Sequence, residues 1–146
     1  MTEIIFPIRS IMVERVIPFP REQIWQALTQ SAMIGSWLMK NDFELTIGRR
    51  FNFRATPMYG WNGVTDCEVL LFEPLAKLAY SWQASGEQAA DGLATTVTWT
   101  LMPEGDTTRV RMEQIGFRPQ DESGYQSMSR GWPGMLEGLE RTAGQI

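Results

Sequence analysis

Hydrophobic and polar positions along the chain change period several times, and each change predicts an element. Ile11 to Phe19 is rich in Ile and Val and reads as a strand that Pro18 and Pro20 end. Residues 1–10 form a partly apolar lead-in expected to pack along an edge. Pro20 is placed to open a helix, with Glu22 in its first turn and Ile24, Trp25 and Leu28 on its apolar face, over about residues 21–29. Ser31 is the expected N-cap of a second short helix through Met33, Ile34 and Trp37.

Past the Gly48 turn the period becomes two. Phe51 and Phe53 alternate with Arg50, Asn52 and Arg54. A loop from Pro57 to Gly63 carries Tyr59 and Trp61, as a rim or a plug. Val64 to Glu73 is the next strand. Its alternation blurs at Val69-Leu70-Leu71-Phe72, which predicts burial on both sides or a bulge. Glu73-Pro74 turns the chain into Leu78, Tyr80 and Trp82, alternating with small or polar residues. Ala84 to Leu93 is a loop of small residues, expected to be mobile. Val97, Trp99 and Leu101 alternate with threonines, Pro103 to Asp106 makes a hairpin turn with Gly105 at its tip, and Val110 and Met112 alternate with Arg109, Arg111 and Glu113.

From Asp121 to Ile146 the period lengthens again. Tyr125, Met128, Trp132, Met135, Leu136 and Leu139 fall on one stripe of a long helix, with Gln126, Ser129, Arg130, Glu137, Glu140 and Arg141 opposite. Strands joined mostly by short turns imply an antiparallel sheet, here of about six strands. Its face of Phe51, Phe53, Tyr80, Trp82, Trp99, Val110 and Met112 needs a cover, and the terminal helix is the one long element able to supply it. The fold class is α+β, in a single domain over residues 1–146.

Composition narrows the chemistry. Six Trp and nine Met make an interior suited to variable apolar partners, or a core short of Leu. A net charge of −4 with no large Lys/Arg cluster argues against nucleic acid. No run of about 18 apolar residues predicts a membrane span, and no basic-then-apolar start predicts a secretory signal, so cytoplasm is the default. The sequence has no His, which excludes Ser-His-Asp and Cys-His nucleophile systems and the commonest metal ligand. No metal or cofactor is expected. The single Cys67 rules out an internal disulfide and reads as a small buried hydrophobe. Parity turns Asp66 and Glu68, and likewise Arg109, Arg111 and Glu113, outward into cross-strand ion pairs rather than catalysis. Asp121-Glu122 reads as a helix N-terminal charge pair.

The succession of short motifs resembles the START-like, helix-grip (SRPBCC) superfamily, in its activator-of-heat-shock-ATPase-like branch. The resemblance rests on Pro20 with Ile24 to Thr29, Trp37, Ile47 to Phe53, Glu73-Pro74 before Lys77 to Trp82, Thr95 to Leu101, Gly116-Phe117, and Gly131-Trp132 leading to Leu136 and Leu139. Two positions depart from it: Arg49 and Pro133 stand where that branch usually has Gly. A proline inside the helix predicts a bend near Ser129, or a restart around Trp132. The resemblance implies a curved antiparallel sheet wrapped around the long helix, two short helices after the first strand, and a cavity between sheet and helix. Phe51, Phe53, Tyr59, Trp61, Tyr80, Trp82, Trp99, Met112, Gln114, Met128, Trp132, Met135 and Leu136 are its expected lining. Tyr80 and Gln114 are the polar anchors by strand parity, with Tyr59 and Arg54 near a mouth flanked by Tyr125 and Met128. Members of the superfamily include lipophilic-ligand carriers, polyketide cyclase-like enzymes and chaperone regulators. The expected function is therefore binding of a small lipophilic or aromatic molecule by a monomer or homodimer. A cyclase or hydratase using the same cavity, and a chaperone-ATPase regulatory module, are the alternatives.

Overall fold

The computed structural model describes residues 8–58 and 60–146. Seven strands form one antiparallel sheet in the order β1-β7-β6-β5-β4-β3-β2. They are β1 (Arg9–Ile17), β2 (Lys40–Asn41), β3 (Arg50–Arg54), β4 (Val64–Glu73), β5 (Lys77–Ala84), β6 (Ala94–Glu104) and β7 (Thr107–Phe117). Helices α1 (Arg21–Thr29) and α2 (Ser31–Trp37) follow β1, and α3 (Glu122–Ala143) closes the chain. This is the helix-grip arrangement, with one strand more than the pattern predicted. The extra strand, β2, has two residues, too few to show alternation.

Local details sharpen several expectations. The lead-in gives way to strand at Arg9, two residues before the Ile/Val pattern starts, and residues 1–7 lie outside the described residues. The cap of α2 is Gln30, not Ser31; Ser31 is the first helical residue, and its hydroxyl donates to the Asn41 carbonyl at 2.9 Å. The blurred end of β4 is a bulge between Val69 and Leu71, and Leu70 and Leu71 are exposed rather than doubly buried. At the β6–β7 turn Gly105 has φ +61°, which suits the first central position of a type II′ hairpin. The chain makes a second departure at Gly116, with φ +116°: it is the extra residue where the β1–β7 register slips, Arg9 facing Phe117 and Ser10 facing Ile115.

Helix α3 runs unbroken through Pro133, so the expected restart at Trp132 does not occur. It lays Trp132, Leu136, Leu139 and Ala143 on the concave side of the sheet. Pro133 itself is exposed, and its missing N–H leaves the Ser129 carbonyl without its helical partner. Among the described residues no helix is long and apolar enough to cross a membrane.

Candidate functional site

Strand parity and the curvature of the sheet bring the aromatic side chains together on one interior face. Phe51 and Phe53 (β3), Tyr80 and Trp82 (β5), Trp99 (β6), Met112 and Gln114 (β7), and Trp132 and Leu136 (α3) are all buried there. Met128 and Met135 are half-buried and pack against the same cluster from α3. One expected lining residue, Trp61, is not part of it. Trp61 is half-buried on its own loop, its indole Nε1 donating to the Val64 carbonyl at 3.2 Å. Tyr59 lies outside the described residues. Arg54 is exposed, its Nε donating to Asn52 Oδ1 at 2.8 Å, and faces Lys40 across the β2–β3 ladder.

The rings touch one another in a continuous chain. Phe51 meets Phe53 at 5.4 Å and Tyr80 at 5.5 Å between centroids, Phe53 meets Trp82 at 5.1 Å, and Trp82 meets Trp132 at 5.5 Å. Trp132 then meets Trp99 at 5.8 Å, and Trp99 meets Trp37 edge-on at 5.5 Å. Most are edge-to-face pairs, the arrangement that ring quadrupoles favour. Two further rings, Trp37 and Phe43, belong to the cluster although the pattern did not single them out as lining. Trp37 faces inward because its Nε1 is fixed to the Ala27 carbonyl at 2.9 Å. Phe43 sits between two acidic residues in an aperiodic stretch, which gave no signal to read. Two hollows, of about 460 and 230 Å³, open on the outer surface. Arg15, Glu140 and Arg141 are among the residues lining the first, and Lys40, Asp42 and Arg54 among those lining the second.

Polar atoms on the interior face are few and form two groups. Gln114 bridges three elements: its Oε1 accepts from Trp132 Nε1 at 2.8 Å, and its Nε2 donates to Thr95 Oγ1 at 3.0 Å and to Met128 Sδ at 3.4 Å. The Thr95 hydroxyl in turn donates to the Trp82 carbonyl at 2.9 Å. Separately, Trp99 Nε1 donates to the Tyr80 hydroxyl oxygen at 3.0 Å. Burial pushes the Tyr80 phenol well above its ordinary range, against the opposing effect of the Trp99 hydrogen bond. Burial, then the charges of Asp66 and Asp42, does the same to the Cys67 thiol. Both groups are therefore neutral. The carboxylates of β4 and β7 point away from the face, and Arg50–Glu68 at 3.4 Å and Arg111–Glu14 at 3.4 Å are cross-strand pairs on the outer side.

Side-chain ties join the loops after β3, β5 and β7. The loop after β5 holds a short 3-10 turn at Gly86–Gln88. Asn62 Nδ2 donates to the Ser85 carbonyl at 3.1 Å, and Gln88 Nε2 to the Gly60 carbonyl at 3.3 Å. Arg118 donates to the Asp91 and Gly92 carbonyls at 3.1 and 2.8 Å and to both oxygens of Asp121. Asp121 thus acts as a clamp partner beside the start of α3, and Glu122 pairs with Arg9, whose guanidinium lies 4.0 Å over the Tyr125 ring.

A family model described as Activator of Hsp90 ATPase homolog 1-like protein matches residues 18–144. The crystal structure of protein MLL2253 from Mesorhizobium loti is 44% identical over 94% of this chain and 98% of its own, with a TM-score of 0.85. The solution structure of protein BH1534 from Bacillus halodurans is 23% identical over 95% of this chain and 99% of its own, with a TM-score of 0.76. The Aha1 dimer from Colwellia psychrerythraea is 21% identical over 90% and 93%, with a TM-score of 0.73. The last two show likeness of fold alone. No functionally curated protein matched the chain.

Proposed function

The chain belongs to the Activator of Hsp90 ATPase homolog 1-like family of START-like proteins, and from that premise we propose that it binds a small lipophilic or aromatic molecule between the sheet and α3. The observation that carries this reading is the concentration of aromatic rings on one interior face, edged by Met128 and Met135. An apolar lining with a few fixed polar groups is the usual composition of a small-molecule site. Because the rings now touch each other, binding exchanges ring–ring for ring–ligand contacts, and the unbranched methionines are the side chains best able to adjust. A bound ring burying about 150–250 Å² contributes roughly 4–6 kcal/mol before the costs of ordering and displacement. The two titratable groups on the face, Tyr80 and Cys67, are both held neutral, which favours binding over acid–base chemistry.

Native mass spectrometry of protein purified from its own host tests the reading directly. The expected spectrum contains a species heavier than the bare chain by the mass of one small molecule, which collisional activation releases. A spectrum of bare chain only, together with a melting temperature that no added apolar aromatic raises, would sink it.

A further inference from the structure

Buried donors that end on nothing are rare, and this interior holds one. The Tyr80 hydroxyl oxygen accepts the Trp99 indole N–H at 3.0 Å. An indole nitrogen cannot accept in return, so the phenolic proton is not used in that contact. Among the described residues no acceptor takes it: the other polar groups of the face are committed to one another, and the Cys67 thiol turns to the Thr65 carbonyl at 3.9 Å. Tyr80 is only 3% exposed, so bulk water does not satisfy it either.

One ring packed against Tyr80 is held differently from its neighbours. Phe43 packs edge-on to Phe51 at 5.1 Å and lies 6.5 Å from Tyr80. The other rings of the cluster described above sit on strands or helices, whereas Phe43 comes from the irregular segment between β2 and β3. Its backbone N–H is held by Asn41 Oδ1 at 3.0 Å, and Asp42 Oδ1 takes the Asn52 N–H at 2.9 Å. Moving such a segment breaks a few polar ties that water can replace, whereas moving Phe51 or Trp99 breaks a ladder.

We propose that Phe43 is a resident plug, and that the ligand is a planar aromatic molecule with an uncharged carbonyl oxygen, which displaces the Phe43 ring and accepts the Tyr80 phenolic proton. The inference rests on the binding reading above and adds the ligand class. The acceptor is uncharged because no Lys or Arg is buried among the described residues to offset a buried anion. Planarity follows from the ring it replaces: Phe43 is a flat ring standing edge-on to Phe51 at 84°, and Phe51 stands edge-on to Tyr80 at 82°.

Fluorene and 9-fluorenone are a matched pair of probes, alike in shape and differing in one carbonyl. Each is titrated into ¹⁵N-labelled full-length wild type, Tyr80→Phe and Phe43→Ala, following the six indole N–H resonances. Fluorenone is the less lipophilic of the two, so burial alone favours fluorene. We expect wild type to bind fluorenone about five- to tenfold more tightly than fluorene, the worth of one buried hydrogen bond. Tyr80→Phe is expected to lose that preference while keeping its fluorene affinity, and Phe43→Ala to bind both probes more tightly with the preference intact. In wild type the Trp99 indole resonance should shift with fluorenone and not with fluorene, a readout that needs no variant to fold. Equal binding of the probes by wild type, or a preference that survives Tyr80→Phe, overturns the acceptor assignment and leaves the binding reading standing. Phe43→Ala that binds no better than wild type overturns the plug. No binding of either probe by wild type and Phe43→Ala overturns this inference and the reading beneath it together.

Discussion

Gln114 is a polar side chain with no exposure, and its amide makes three hydrogen bonds inside the protein. Strand parity marks it as an anchor for a ligand, and its bonds to Trp132, Thr95 and Met128 also make it a tie between β7, β6 and α3. Parity tells which face a residue joins; it does not tell what meets it there. Gln114→Leu keeps the volume but strands the Trp132 indole N–H, and should cost about 1–3 kcal/mol in urea denaturation. Trp132→Phe introduced into that background should then cost less than it does alone, because the N–H it removes has already lost its partner. Additive costs would show that the tie contributes nothing. Gly116 is a second single-residue determinant. With φ +116° and an added Cβ falling 3.1 Å from the Ala94 carbonyl oxygen, Gly116→Ala should destabilise by about 1–3 kcal/mol. A variant as stable as wild type would mean that the β1–β7 bulge relaxes without strain.

Elements were legible in proportion to their length and period. β1 and β3 to β7 follow the alternation, and α3 follows its stripe to within a few residues at each end. What escaped was short or aperiodic: β2, the Gln30 cap and Phe43. The restart expected around Trp132 does not occur, since the helix continues through Pro133. A helix carrying Gly131, Pro133 and Gly134 within one turn is nonetheless weak in its own backbone, and packing of Trp132, Leu136 and Leu139 compensates. Because Gly131 and Pro133 are exposed and nothing lies within 4 Å of a Cβ added at Gly131, substitution there tests the backbone alone. Gly131→Ala should stabilise by about 0.5–1 kcal/mol and Pro133→Ala by about 1–3 kcal/mol. Both are read as raised melting temperatures. A lowered melting temperature in either would show that α3 is held in a conformation an ordinary helix former cannot adopt.

At the scale of the whole molecule, the sequence patterns located the two layers and the face between them, but not how that face is filled. Alternation assigns Phe51, Tyr80, Trp82 and Trp99 to the interior; whether their rings leave room or close on each other depends on cross-strand register and on Trp37 and Phe43 arriving from elsewhere. The layers are also joined at one end by Arg118, which links β7, the loop before β6 and the start of α3 through Asp91, Gly92 and Asp121. This closure titrates. The Arg118 hydrogen bond, more than its charge, holds the Asp121 carboxyl below its ordinary value of 3.8. A carboxyl lowered in the folded state adds stability that is present above the unfolded value and lost as pH falls through the folded one. Arg118→Gln removes that contribution, so the gap in denaturation midpoint between wild type and variant should be steady from about pH 7 to 5. It should narrow below about pH 4, as Asp121 of the wild type takes up its proton. A residual gap should persist at lower pH, because the Asp91 and Gly92 carbonyls accept from Arg118 whatever the charge on Asp121. A gap that stays constant down to the acid limit would mean that the clamp holds the two carbonyls and draws nothing from the carboxylate.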